Sequence, residues 1–143
     1  FIELLKTKPA IRGLFYGELM NNLELQAARK LLMLDASEAA EEIGNVSTRS
    51  WQYWETGERA VPDDVVDEML ALISIRMEKI DELDQLLAEA LAAGEEKITL
   101  EYYISFEQYQ EKHPGARKME WRLNQSVAAL YFTEGLANLA EPQ

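Results

Sequence analysis

Residues 34–62 read LDASEAAEEIGNVSTRSWQYWETGERAVP, and their punctuation predicts two short helices joined by a tight turn. Asp35 precedes Ala36-Ser37-Glu38, an N-cap with an acid three residues on, so a helix opens there. Gly44 is its expected stop, Ser47 is the next N-cap, and the helix it opens runs to about Thr56 with Gly57 behind it. Pro62 follows, at a position suited to the first turn of a further helix. Ala39, Ala40 and Ile43 give the short helix an inner face of mostly small side chains, which permits close helix approach. In the second helix Trp51 and Trp54, three apart, share a face and belong in the core. Thr48, Arg49, Gln52, Tyr53 and Thr56 then fall on the opposite side, where the one charge is positive. This is the pattern of a helix-turn-helix unit, placed here between about Leu23 and Pro62, whose second helix buries one stripe and offers the other to a DNA major groove. An arginine bonds a guanine edge bidentately, a glutamine does the same for adenine, and a tyrosine contacts a phosphate or a thymine methyl.

Upstream, Leu23, Ala27, Lys30/Leu31 and Leu34 recur at helical spacing and are the expected apolar face of a first helix. Residues 1–19, FIELLKTKPAIRGLFYGEL, differ in character, being broken by Pro9 and two glycines. They are read as an N-terminal extension, with Met20-Asn21-Asn22 as the natural start.

Downstream, Val66, Met69, Ile73, Arg76, Ile80, Leu83, Leu87 and Ala90 step by threes and fours, the seam of a long helix reaching Gly94. Leu70, Leu72, Met77, Leu86 and Leu91 add a second apolar flank. Some thirty residues of helix span roughly 45 Å, so the C-terminal segment or a partner subunit is expected to cover them. Lys97–Tyr103 is β-branched and aromatic and reads as a short strand or part of a hairpin. Ser105–Lys112 reads as a short helix stopped by His113-Pro114-Gly115. Trp121–Leu139 reads as a final helix with Leu123, Val127, Leu130, Tyr131 and Phe132 on its apolar side. The organisation expected is an extension over 1–19, a helix-turn-helix region over 20–63, a long acidic helix over 64–94 and a dimerisation region over 95–143. The fold class is mostly α: a lambda-repressor-like bundle, a long helix, and a small α-rich C-terminal region with one short strand. The dimer contact is assigned to Trp121, Leu123, Val127, Leu130 and Tyr131.

The chain has 143 residues and a formal net charge of -12, which at first argues against nucleic acid. Divided by segment, the charge is +1 over 1–19, -4 over 20–63, -8 over 64–96 and -1 over 97–143, so most of the excess sits in the long helix. Weak non-specific DNA affinity follows, because phosphate neutralisation supplies that term. Sequence-specific reading by a dimer stays open. A hydrophobic share of 48 % supports a packed core. No apolar run approaches ~18 residues and no signal peptide is visible, so a membrane partner is not expected and the location expected is cytoplasmic. With no Cys, a single histidine in a Pro-Gly turn and no HExxH, phosphate loop or nucleophile–base set, no metal, cofactor or catalytic residue is assigned.

These residues resemble a known family. Leu34-x8-Ile43-Gly44 and Val46-Ser47-x6-Trp54-Glu55-x-Gly57-x4-Pro62 are similar to the Cro/C1 repressor (xenobiotic-response-element) pattern. The strings NNLELQAARKLLMLDASEAAEEIG, SWQYWETG, AVPDDV and WRLNQSVAALYFTEG more closely resemble the anti-CRISPR-associated (Aca) autorepressors and their YdiL-type relatives, from about Met20 to Leu139. The resemblance implies a dimeric autorepressor that reads an inverted repeat. Within it, Arg29 and Glu55 match a pair tying the first helix to the end of the reading helix. Thr48, Arg49, Gln52 and Tyr53 match the groove readers, with Ser50 beside them, and Asn45, Ser47 and Arg59 match phosphate contacts. Two departures stand out. The turn Gly44-Asn45-Val46-Ser47 is one residue longer than usual, which implies a shifted reading helix. Ala36 stands where many such repressors carry a phosphate-clamping glutamine. The alternative, from another class, is an acidic helical adaptor or antitoxin-like protein with a vestigial helix-turn-helix, and an RNA hairpin is a further target for the same surface.

Overall fold

A computed structural model describes residues 20–143, and the expected extension over 1–19 lies outside them. Helices α1 (Asn22–Leu31), α2 (Ala36–Ala39, continued by a π-helical turn Ala40–Gly44), α3 (Thr48–Thr56) and α4 (Asp63–Ala92) are followed by β1 (Ile98–Glu101), α5 (Phe106–Lys112), α6 (Lys118–Thr133) and β2 (Ala137–Ala140). The fold is mostly α, as the periodicity predicts. The chain divides into two compact units after Ile75.

In the first unit, Asn21 caps α1 through a reciprocal pair of bonds with Glu24, and Asp35 caps α2 with Glu38 in the same way. The buried face of α1 is Leu25, Ala28 and Leu32, not the Leu23–Ala27–Leu31 row: Leu23 is 69 % exposed and Leu31 46 %. Both rows have helical spacing, and packing against α3, decided far along the chain, selects between them. The core also takes Leu34, Ala39, Ala40, Ile43, Trp51 and Trp54, with Val65, Val66, Met69 and Leu70 from the start of α4. Trp51 and Trp54 meet edge to face at 5.4 Å between ring centroids.

The long turn has a specific solution. One extra residue in an α-helix makes a π turn, and α2 ends in one, with the Asn45 and Val46 N–H groups both donating to the Ala40 carbonyl. The left-handed residue that ends the helix is therefore Asn45 (φ 51°), one place beyond the expected stop. Gly44 is needed for a different reason: a Cβ there would stand 3.1 Å from the Trp54 ring and 3.2 Å from the Trp51 ring.

In the second unit, β1 and β2 form a parallel pair in register Ile98↔Ala137 to Glu101↔Ala140. Two expectations are corrected here. The strand belongs to no hairpin, since its partner lies two helices later. The final helix is Lys118–Thr133 and not Trp121–Leu139, because Gly135 (φ 75°) turns the chain and residues 137–140 go to the sheet. From Arg76 onward α4 is covered in part by α6: Arg76 donates to the Ser126 hydroxyl at 3.0 Å, and the Tyr131 hydroxyl meets the Ile80 carbonyl and Asp84. Burial and the Asp84 contact push the Tyr131 phenol well above its ordinary value. A cluster of Tyr103, Tyr109 and Trp121 closes the other side, where the Tyr103 carbonyl accepts from Trp121 Nε1 (2.8 Å) and Gln125 Nε2 (2.9 Å). His113 stacks on Tyr109 with centroids 4.2 Å apart.

Candidate nucleic-acid interface

The surface built by α2, its turn and α3 begins with the Ser47 hydroxyl, which accepts from the Ser50 N–H at 3.1 Å and fixes the start of α3. With Trp51 and Trp54 turned inward, the opposite stripe faces solvent. Arg49, Gln52 and Thr56 are exposed, and Thr48, Ser50 and Tyr53 are half-buried. Asn45, Ser47 and Arg59, at the two ends of the helix, are exposed as well. The residues singled out for groove and backbone contact are thus exposed or half-buried, on α3 or beside its two ends. Ala36 opens onto a hollow of about 350 Å³ that it shares with Gln26, Arg29, Gln52, Glu55 and Thr56.

Behind that edge, α3 is anchored by one carboxylate. Arg29 Nε and Nη2 donate to the two oxygens of Glu55 at 2.6 and 2.9 Å, and Nη1 donates to the Leu34 carbonyl at 2.9 Å. All three edges of the guanidinium are thus used, two toward α3 and one toward the chain entering α2. Trp51 Nε1 donates to the same Glu55 at 2.5 Å. Burial pushes the Glu55 carboxyl up, but its bonds to Arg29, Trp51 and Gln26 outweigh this and hold it below the ordinary carboxylate value. The bond to Glu55 likewise raises the Arg29 guanidinium against the opposing effect of burial. Asn22 adds a bond from Nδ2 to the Glu55 carbonyl at 3.2 Å. Gln26, Asn22 and Trp51 were not legible as members of this network. The spacing Asn22–Gln26–Arg29 on one face of α1 was the available signal.

Tyr53 ties the outer stripe together. Arg49 Nε donates to its hydroxyl at 2.8 Å, and the Arg59 guanidinium lies over its ring, 4.4 Å from the centroid. The Tyr53 carbonyl accepts the Arg59 N–H at 3.1 Å, a return made possible by the left-handed Gly57 (φ 86°).

The side chains given to the dimer contact stand elsewhere than at a free surface. Trp121, Leu123, Val127 and Tyr131 are buried within the second unit, 7 % exposed or less, and Leu130 is half-buried. They pack this protomer, whereas Leu86, Leu91, Ile104 and Phe132 of the same unit are each more than half exposed. Among the described residues no group of His, Cys, Asp or Glu side chains converges as a metal site, and no helix is long and apolar enough to cross a membrane.

The sequence of the chain is similar to those of the Aca2/YdiL-like proteins. The model of that family matches residues 20–140, and the chain belongs to it. It is 55 % identical over 120 residues to the Aca2 repressor of Pectobacterium phage ZF40, an alignment covering 84 % of this chain and 99 % of that protein. It is 28 % identical over 121 residues to the uncharacterized protein YdiL of Escherichia coli strain K12, with the same coverage.

Proposed function

We propose that this chain is a transcriptional repressor, not an enzyme, that reads double-stranded DNA as a homodimer through α3. The observation that carries the reading is the solvent-facing row Arg49–Gln52–Tyr53–Thr56 on a helix fixed from behind by Arg29, Glu55 and Trp51. Bases are read by donors and acceptors held rigidly, and these are side chains that read them. Similarity to a repressor supports the same reading.

The acidity of the chain shapes the expected binding. The -8 carried by residues 64–96 repels phosphate, so a scrambled duplex binds weakly and selectivity needs two half-sites of an inverted repeat. Arg49, Arg59 and their counterparts in a second copy release few counterions. The slope of log K against log salt is expected to be shallow, on the order of -2 to -5. Titrating the duplex upstream of the chain's own coding region against a scrambled one, at several salt concentrations, checks this. Equal affinity for both would favour the adaptor reading.

The exposed Leu86, Leu91, Ile104 and Phe132 supply the apolar surface for the dimer. Light scattering at micromolar concentration is expected to give twice the 16.4 kDa of the chain. A monomer would remove the two-half-site mechanism.

A further inference from the structure

We propose that Tyr53 is a positioning residue that pre-orders Arg49 and Arg59, one through its hydroxyl and the other through its ring, an inference that rests on α3 being the reading helix. Both arginines are exposed, and a free arginine on a surface samples many rotamers. Here each has a reason to hold one. The Arg49 Nε–H is spent on the Tyr53 hydroxyl at 2.8 Å, with the guanidinium carbon 5.7 Å from the ring centroid, which leaves its two terminal nitrogens as an end-on fork. An end-on fork is the half of the guanidinium that matches a guanine O6/N7 edge. Having accepted from Arg49, the hydroxyl keeps its own proton and donates it outward, to a phosphate or base acceptor. Arg59 is held at both ends, its N–H on the Tyr53 carbonyl at 3.1 Å and its guanidinium 4.4 Å from the ring centroid. One tyrosine thus fixes a base-reading cation and a phosphate-reading cation with respect to each other. Ordering them before binding removes an entropy cost that the complex would otherwise bear.

The hydroxyl and the ring are separable, and so is the test. In the full chain without DNA, the Arg49 Nε–H signal in nitrogen-15 NMR is expected to be shifted and slow to exchange. In Tyr53→Phe it moves to the position of a solvated arginine, whereas the Arg59 signal stays. With the upstream duplex as probe, Tyr53→Phe is expected to lose roughly two- to tenfold affinity per half-site, with an unchanged salt slope. Tyr53→Ala loses more and makes the slope shallower by about one per half-site, since Arg59 is released from its phosphate. A tyrosine that merely supports the fold would lower the melting temperature and leave the salt slope alone. An Arg49 signal identical in the parent chain and Tyr53→Phe overturns the proposal. So does Tyr53→Phe binding as tightly as the parent while Arg49→Ala loses selectivity. If Arg49→Ala itself keeps full selectivity, the reading helix has been misassigned and the proposal falls with it, a result distinct from failure at Tyr53 alone.

Discussion

Arg49→Ala is expected to erase the preference for an operator over a scrambled duplex while leaving the folded chain unchanged. The side chain is exposed, and among the described residues its contacts are to the hydroxyl and ring of the half-buried Tyr53, so no fully buried side chain depends on it. A bidentate contact to a base contributes about 1–3 kcal/mol of discrimination. Two half-sites double that figure, so the preference falls by a factor on the order of 10² to 10⁴. Non-specific affinity falls far less, because it depends on the count of cations near phosphate and only one per half-site is removed. The measurement is the ratio of dissociation constants for the two duplexes at one salt concentration, with thermal unfolding as the control. A variant that keeps the ratio of the parent would move the reading surface away from α3.

The second large effect lies behind that surface. Arg29→Ala removes three donors at once and strands the Glu55 carboxylate, whose side chain is 7 % exposed, with only Trp51 and Gln26 to satisfy it. Breaking a buried pair from one side costs about 3 kcal/mol or more, which for a unit this small lowers the melting temperature on the order of 10–20 °C. Removing both partners, in Arg29→Ala/Glu55→Ala, is expected to recover part of the loss, since no charge is then left unpaired. The pair also sets a pH dependence. The Glu55 carboxyl is held below its ordinary value of 4.5 in the folded chain. Its stabilisation is therefore fully present above that value and is lost as pH falls through the lower folded value. Acid melting curves should show the parent losing stability below pH 4.5 more steeply than the double variant does. Parallel curves would mean that Glu55 titrates alike in the folded and unfolded chains.

The sequence by itself determined the local architecture of this protein. Asp35, Ser47 and Ser105 announce their helices because capping is a bond between a side chain and a backbone N–H three residues away, and no distant residue is needed to satisfy it. The seam of α4 and the inward Trp51–Trp54 face were legible for the same reason: helical spacing alone places side chains on a face. On α1 spacing predicts that the Leu23–Ala27–Leu31 row turns inward, and packing against α3 chose Leu25–Ala28–Leu32 instead. Residues 137–140 continue a helical pattern, but β1 offers a row of unpaired backbone groups thirty-nine residues upstream, and pairing with it overrides local preference. Trp121, Leu123, Val127 and Tyr131 are an apolar stripe in the sequence, and only the tertiary structure shows that the protomer itself consumes it. The outer row of α3 could be read from the chain as a set of residue types. That Tyr53 holds Arg49 by a hydroxyl and Arg59 by a ring, while Asn22, Gln26, Arg29 and Trp51 converge on Glu55, is a matter of side chains meeting across turns and between helices, which one-dimensional spacing does not encode.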